Sequence, residues 1–296
     1  MSQIRHMPAG HCLGRVWLLG CGAMGGSLLQ RWLQAGLEAS AVTVIDPAPG
    51  GLPEEFAGNV VADIRAAHDL AANPTLVVLA VKPQTLPEVV SDLTRMLGAT
   101  PLILSMLAGV RTATIARFFP DARIIRMMPN TPARIGRGVT ALYAASAAKA
   151  DRETATWLME AAGKTVWLSD EALFDAVTAV SGSGPAFLFR FMETLATAGE
   201  AAGLERDIAS SLALETIAGA AELARQSGSP PAVLREQVTS PGGTTEAGLE
   251  VLDADGVLFS LMRATVRAAA DRSRELANAA AELAEKAMDA SEEGQR

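Results

Sequence analysis

Residues 238–249 read VTSPGGTTEAGL, and they hold the side chains with the plainest chemical use. Ser240, Gly242, Gly243, Thr244 and Thr245 make a short polar turn, after which apolar residues resume at Leu249, Leu252 and Leu258. A glycine turn that opens a helix aims several unpaired backbone N–H groups at one spot, which suits an anion such as a carboxylate. The hydroxyls of Ser240, Thr244 and Thr245 add donors. The same residues also fit a plain helix N-cap on a tight turn, and spacing alone leaves both readings open.

A second constellation lies near the other end. Val16–Leu19 is a short apolar run that enters Gly20-Cys21-Gly22-Ala23-Met24-Gly25, and Leu28, Leu29, Trp32 and Leu33 follow on one helical face. Strand, G-x-G-x-x-G and helix, in that order, form the dinucleotide fingerprint. Gly20 allows the tight turn, Gly22 lets backbone approach a pyrophosphate, and Gly25 lets helix and strand pack closely. A second apolar run ends at Asp46, about 20 residues after Gly25, where an acid meets the adenosine ribose hydroxyls. Asp46 also fits as the cap of the turn that follows it.

Composition narrows the chemistry. The chain has 296 residues, is 49% apolar and carries a net charge of −8. That length suits about two domains, and the charge argues against nucleic acid. No unbroken apolar run approaches the ~18 residues of a membrane span, and residues 1–13 lack the apolar core of a signal peptide and read as a loose tail. The two cysteines, Cys12 and Cys21, supply no disulfide framework, which fits a reducing cytoplasm. His6, His11 and His68 are the only histidines and Tyr143 the only tyrosine. Ser-His-Asp hydrolysis and His/Cys metal sites are therefore disfavoured, as is alcohol oxidation with a histidine or tyrosine base.

These residues need a frame. Apolar runs at Val16–Gly20, Val42–Asp46, Asn59–Val61, Leu76–Val81, Leu102–Met106 and Arg123–Met127 alternate with helical patterns near 23–36, 63–72, 84–97 and 111–118. Val139–Tyr143 and Thr165–Leu168 add two strands around a helix at 148–162. Such alternation predicts a parallel, doubly wound α/β sheet that binds ligands beyond the carboxyl ends of its strands. The loops Lys82-Pro83-Gln84, Ala108-Gly109 and Pro129-Asn130-Thr131-Pro132 would then line one cleft. From about residue 171 the pattern turns helical, over 185–203, 207–226, 231–238, 246–253 and 256–288, with Ser181–Pro185 opening the first long helix. The alanine-rich helices are too apolar for a lone solvated bundle, so a subunit interface is expected, and Ser291–Arg296 is expected to fray. The domains are thus set at 14–170, an N-terminal Rossmann-like doubly wound unit, and 171–290, an all-α dimerisation unit.

In this order the motifs GCGAMGG (20–26), LAVKPQ (79–84), SMLAGV (105–110), RMMPNTPARIGRG (126–138), AVSGSGPAF (179–187) and VTSPGGTTEAGL resemble the pyrroline-5-carboxylate reductases. The resemblance covers about residues 14 to 275. It implies a Rossmann domain, a helical domain interlocked into homodimers, and often homodecamers. It also implies reduction of L-1-pyrroline-5-carboxylate, a cyclic imine, to L-proline. The substrate carboxylate would sit on Ser240, Gly243, Thr244 and Thr245, with Thr245 as the catalytic residue near the ring nitrogen. Gly20, Gly22, Ala23, Met24, Gly25 and Asp46 would hold the cofactor's phosphates and ribose. Ala80, Val81, Lys82, Pro83, Met128, Pro129 and Asn130 would line its nicotinamide end, largely through backbone. No metal is implied. A protonated imine is already an electrophile, which agrees with the missing histidines.

One departure bears on the cofactor. Many members carry small hydroxyl residues, or asparagine and arginine, after the second strand. Here the segment is Val44-Ile45-Asp46-Pro47-Ala48-Pro49, an acid without an arginine, so NADH is favoured over NADPH. Rival readings are a reductase of a related ring such as piperideine-2-carboxylate, a 3-hydroxyacid dehydrogenase, and a non-catalytic cofactor-binding regulator. The dehydrogenase would need a helical lysine, and only Lys286 follows Lys164.

Overall fold

The computed structural model describes residues 13–70, 73–97 and 101–293. His6, His11, Cys12 and the proposed N-terminal tail lie outside them, apart from Leu13. The chain divides into two compact units: one ends at Gly182 and takes up the chain again from Ala269, and the other is Ser183–Ala268.

The first unit runs β1 (Val16–Leu19), α1 (Ala23–Gln34), β2 (Val42–Ile45), β3 (Asn59–Val61), α2 (Ile64–Leu70), β4 (Leu76–Leu79), α3 (Leu86–Met96), β5 (Leu102–Ser105), α4 (Thr112–Phe118), β6 (Arg123–Met128), β7 (Gly138–Tyr143), α5 (Lys149–Glu160) and β8 (Gly163–Trp167). The sheet order is β3-β2-β1-β4-β5-β6-β7-β8. Leu19 of β1 stands opposite Ile45 on one side and Leu79 on the other, so strand order reverses between β1 and β4. That is the doubly wound arrangement, with its ligand crevice at the reversal. One pair departs from the expected parallel sheet: β6 and β7 are antiparallel. The link across 129–137 is shorter than the crossover that a parallel neighbour needs.

The central strands are buried on both faces, which is why they read as continuous apolar runs rather than alternating ones. Val16 and Leu18 pack with Leu28, Leu29 and Trp32 of α1 and Leu158 of α5. Trp17 and Leu19 pack with Val90 and Leu93 of α3 and Ile115 of α4. Trp32 stays satisfied in this interior because its Nε1 donates to the Leu158 carbonyl at 2.9 Å.

Beyond β8 come a short helix α6 (Phe174–Val177) and a single π-helical turn, Thr178–Gly182. The helices α7 (Gly184–Ala201), α8 (Arg206–Ser227), α9 (Pro231–Gln237), α10 (Thr244–Asp253) and α11 (Val257–Glu293) follow. Helix α11 runs through Glu293, and 294–296, the rest of the tail expected to fray, lie outside the described residues.

The second unit has almost no interior of its own. Only Ala196, Ala209 and Ala213 are buried in it, where Gly199 lets α7 approach α8. Phe189, Phe191, Leu212, Val251, Phe259 and Leu261 all face outward, Phe259 at 70% exposure. By length and composition the helical stretch Glu171–Ala201, 31 residues long with a window of mean hydropathy 1.3, is also apolar enough to cross a membrane. A search for unbroken apolar runs passes it over because Arg190 and Glu193 interrupt it.

Candidate active site

The glycine fingerprint closes at the strand-order reversal. Gly20 has φ +92°, and a Cβ there would come within 2.6 Å of the Ala80 carbonyl oxygen. Gly25 faces the Gly20 carbonyl so closely that a Cβ would lie 2.3 Å from it, whereas Gly22 meets nothing within 4 Å. The tight turn, the helix–strand contact and the open backbone therefore fall on the three glycines in the order that the fingerprint requires. Ala23 and Met24 form the first turn of α1, whose N-cap, Gly22, offers no side chain to satisfy the helix N–H groups. An incoming anion suits that end.

Asp46 sits half-buried just beyond β2. Its Oδ2 accepts from the Cys21 backbone N–H at 2.6 Å and its Oδ1 from the Ala48 N–H at 2.8 Å. The carboxylate thus braces the glycine turn and caps its own turn, with a lone pair still open on each oxygen. Burial, and then Asp46 itself, push the Cys21 thiol up to about 11. The Ala80 N–H donates to the Leu19 carbonyl, which ties the Ala80–Pro83 loop to the glycine turn. The Lys82 side chain is exposed, and its carbonyl accepts from Thr85.

Met128, Pro129 and Asn130 end β6 on the same side of the sheet. Met128 is half-buried and the other two are buried. Both polar atoms of the Asn130 side chain are bonded within the chain: Nδ2 donates to the Ser181 carbonyl at 3.1 Å and Oδ1 accepts from the Val139 N–H at 2.9 Å. A separate cavity of about 890 Å³ runs along α1 beside residues 50–55 and reaches Thr131 and Arg134. Of the expected cofactor residues, only Ala23 and Met24 line it.

Sequence reasoning missed a buried polar cluster behind this end of the sheet. The Glu171 carboxylate accepts from the Thr112 N–H and hydroxyl, both at 2.8 Å, and from Arg126 at 3.1 Å. The Arg126 guanidinium also lies over the Phe174 ring, 4.2 Å from its centroid. Burial pulls the Arg126 pKa down from its usual value, and the bond to Glu171 opposes that pull. An arginine inside the apolar run RIIRMM was the available signal, since a buried cation requires a partner. Gly109 was placed with the cleft loops, yet it packs against α11, where a Cβ would lie 2.8 Å from the Ala277 Cα.

In the second unit, Ser240 to Thr245 make the turn that opens α10. Gly242 has φ +72°, which a side chain would strain. The Gly243 N–H donates to the Ser240 carbonyl at 3.0 Å, and Gly243 is the N-cap without a side-chain cap bond. Among the described residues, the N–H groups of Thr244 and Thr245 and the hydroxyls of Ser240, Thr244 and Thr245 have no partner within the chain. The Gly242 N–H is taken by Glu246, whose Oε2 lies 2.6 Å away.

Residues 171–276 match the family model described as pyrroline-5-carboxylate reductase dimerisation. Residues 15–109 match the model described as NADP oxidoreductase coenzyme F420-dependent. A pyrroline-5-carboxylate reductase of Pseudomonas aeruginosa is 41% identical over 268 residues, covering 89% of this chain and 97% of that one. This chain belongs to the pyrroline-5-carboxylate reductase family. The Synechocystis member is 40% identical over 88% of this chain and 97% of its own. A solved Coxiella burnetii reductase superposes with a TM-score of 0.82 at 33% identity, covering 90% of this chain and 99% of its own. The Plasmodium falciparum reductase, solved with NADP bound, gives 0.75 at 26% identity over 89% and 98%.

Proposed function

We propose that this chain reduces L-1-pyrroline-5-carboxylate to L-proline, the final step of proline biosynthesis, at the expense of a reduced nicotinamide cofactor. The observation that carries this reading is the α10 turn, where free N–H groups and three free hydroxyls lie within six residues in a chain of this family. Ser240, Thr244 and Thr245 hold the substrate carboxylate, and Gly243, whose N–H is taken by the Ser240 carbonyl, shapes the turn around it. Gly20, Gly22, Ala23, Met24, Gly25 and Asp46 hold the cofactor's phosphates and adenosine ribose. Ala80 to Pro83 and Met128 to Asn130 line its nicotinamide end.

When bound, the cofactor supplies the hydride that adds to the C=N carbon. The protein's own part is positioning: it fixes the ring by its carboxylate so that the imine carbon is held at reactive distance. The Thr245 hydroxyl orients the ring nitrogen by hydrogen bond, which makes it the catalytic residue. No histidine is needed, because the protonated imine is electrophilic before it binds.

We read Asp46 as favouring NADH over NADPH. Its fixed carboxylate accepts from ribose hydroxyls and repels a 2′-phosphate. The working division is a cofactor domain over 14–170 and a substrate and dimerisation domain over 171–290. The outward apolar faces of α7, α8 and α11 are covered by a second copy, and homodimers build to a decamer in the cytoplasm. Oxidation of NADH and of NADPH at 340 nm with pyrroline-5-carboxylate, with chiral analysis of the product, tests the reaction. A folded, nucleotide-binding protein that turns over neither cofactor would overturn it.

A further inference from the structure

The α10 turn already holds one carboxylate of its own. Glu246 stands in the first turn of α10, half-buried, and places Oε2 2.6 Å from the Gly242 N–H. Both the glycine turn and the positive end of the helix attract anions, and Glu246 takes up part of that attraction from within. What stays open to a ligand is the pair of N–H groups at Thr244 and Thr245 with the hydroxyls of Ser240, Thr244 and Thr245.

We propose that Glu246 is a specificity-determining residue that weakens the turn's grip on carboxylates, substrate and product alike. The inference rests on the assignment of this turn as the carboxylate site. Two carboxylates at one helix end repel each other, and each weakens the field available to the other. A loosened grip raises the substrate concentration needed for saturation and speeds departure of the product, which carries the same carboxylate. Glu246 is therefore more than a cap: the cap function needs only an acceptor oxygen, whereas the loosening needs the charge.

That difference supplies the test. Glu246→Gln keeps an acceptor for the Gly242 N–H and removes the charge; Glu246→Asp keeps the charge on a shorter arm. In Glu246→Gln, the KM for pyrroline-5-carboxylate and the inhibition constant of L-proline should both fall by about three- to tenfold, the scale of one screened like-charge contact. The KM of the cofactor should stay put. Glu246→Asp should show no such fall. The ring 1-pyrroline, which lacks the carboxylate, should show no fall in KM in either variant. An unchanged or raised KM in Glu246→Gln, or an equal fall in Glu246→Asp, would overturn the proposal. If Glu246→Gln does not fold, Glu246→Asp alone decides, because a substrate KM lowered with the charge retained contradicts it. A wild-type protein that discriminates neither for pyrroline-5-carboxylate over 1-pyrroline nor for L-proline over pyrrolidine would overturn the carboxylate site itself, and the role of Glu246 with it.

Discussion

Asn130 donates its side-chain amide to the Ser181 carbonyl at 3.1 Å, and thereby ties the loop after β6 to the π-helical turn that leaves the first unit. The same side chain accepts from Val139 at the start of β7. One amide thus joins the loop after β6, the start of β7 nine residues on, and the π-helical turn 51 residues on. The π turn, a feature often found at functional positions, is held where the expected nicotinamide loop ends.

The Arg126–Glu171 pair should behave as a structural element. Arg126→Met leaves Glu171 and the Thr112 hydroxyl in a buried site with one donor fewer. Removing one partner of such a pair costs about 3–5 kcal/mol. Chemical denaturation should show that loss, with part of it recovered in the double variant Arg126→Met with Glu171→Gln. An unchanged midpoint in the single variant would show the pair to be dispensable.

Asp46 should govern cofactor choice. In Asp46→Ser the negative charge beside the ribose is gone, and the hydroxyl remains as an acceptor for a backbone N–H. The ratio of kcat/KM for NADPH over NADH should rise by about tenfold or more, the scale of relieving one like-charge juxtaposition. A wild-type enzyme that already prefers NADPH strongly would refute this role.

Thr245→Ala should lower kcat by about 100-fold, the scale on which a misplaced reacting group slows its reaction. Cofactor affinity, measured by fluorescence titration, should be unchanged, because Thr245 lies outside the cofactor's residues. Wild-type turnover in this variant would remove Thr245 from the mechanism.

Phe259→Glu should dissolve the dimer. The residue is 70% exposed on α11 within a unit that buries only three alanines. A charge buried at an apolar interface is costly unless paired. Sedimentation should show monomers at concentrations where wild type is dimeric, together with a loss of helical signal. A stable dimer carrying Glu at that position would mean that another face forms the interface.

The sheet was legible because its strands are short apolar runs and its helices have one apolar stripe. The fingerprint was legible for a stronger reason: Gly20 and Gly25 each fill a steric condition that a side chain would break, while Gly22 faces open space. Relations between distant segments were not legible. Gly109 sits in a loop that follows a strand, like the cleft loops, and only the return of α11 shows that it packs against Ala277. Arg126 was hidden by its apolar neighbours, and the reversal of β7 by a link that stands out for its motif, RMMPNTPARIGRG, and not for its short length. In the α10 turn, spacing alone leaned towards a plain cap and left the anion site open beside it. The unpaired N–H groups of Thr244 and Thr245 show that the chain's own side chains do not complete the cap.

The first unit is discontinuous, and this sets an order of events on the ribosome. Its sheet is synthesised early and can begin to pack as it emerges. The surface around Gly109 has no cover until the residues from Ala269 onward have been made, after the whole of Ser183–Ala268. Leu107 and Val110 share a core cluster with Ala280, so a nascent chain that stalls in the helical region lacks that last piece of the cluster. Incomplete chains of this protein are therefore substrates for chaperones and proteases until translation has passed α11.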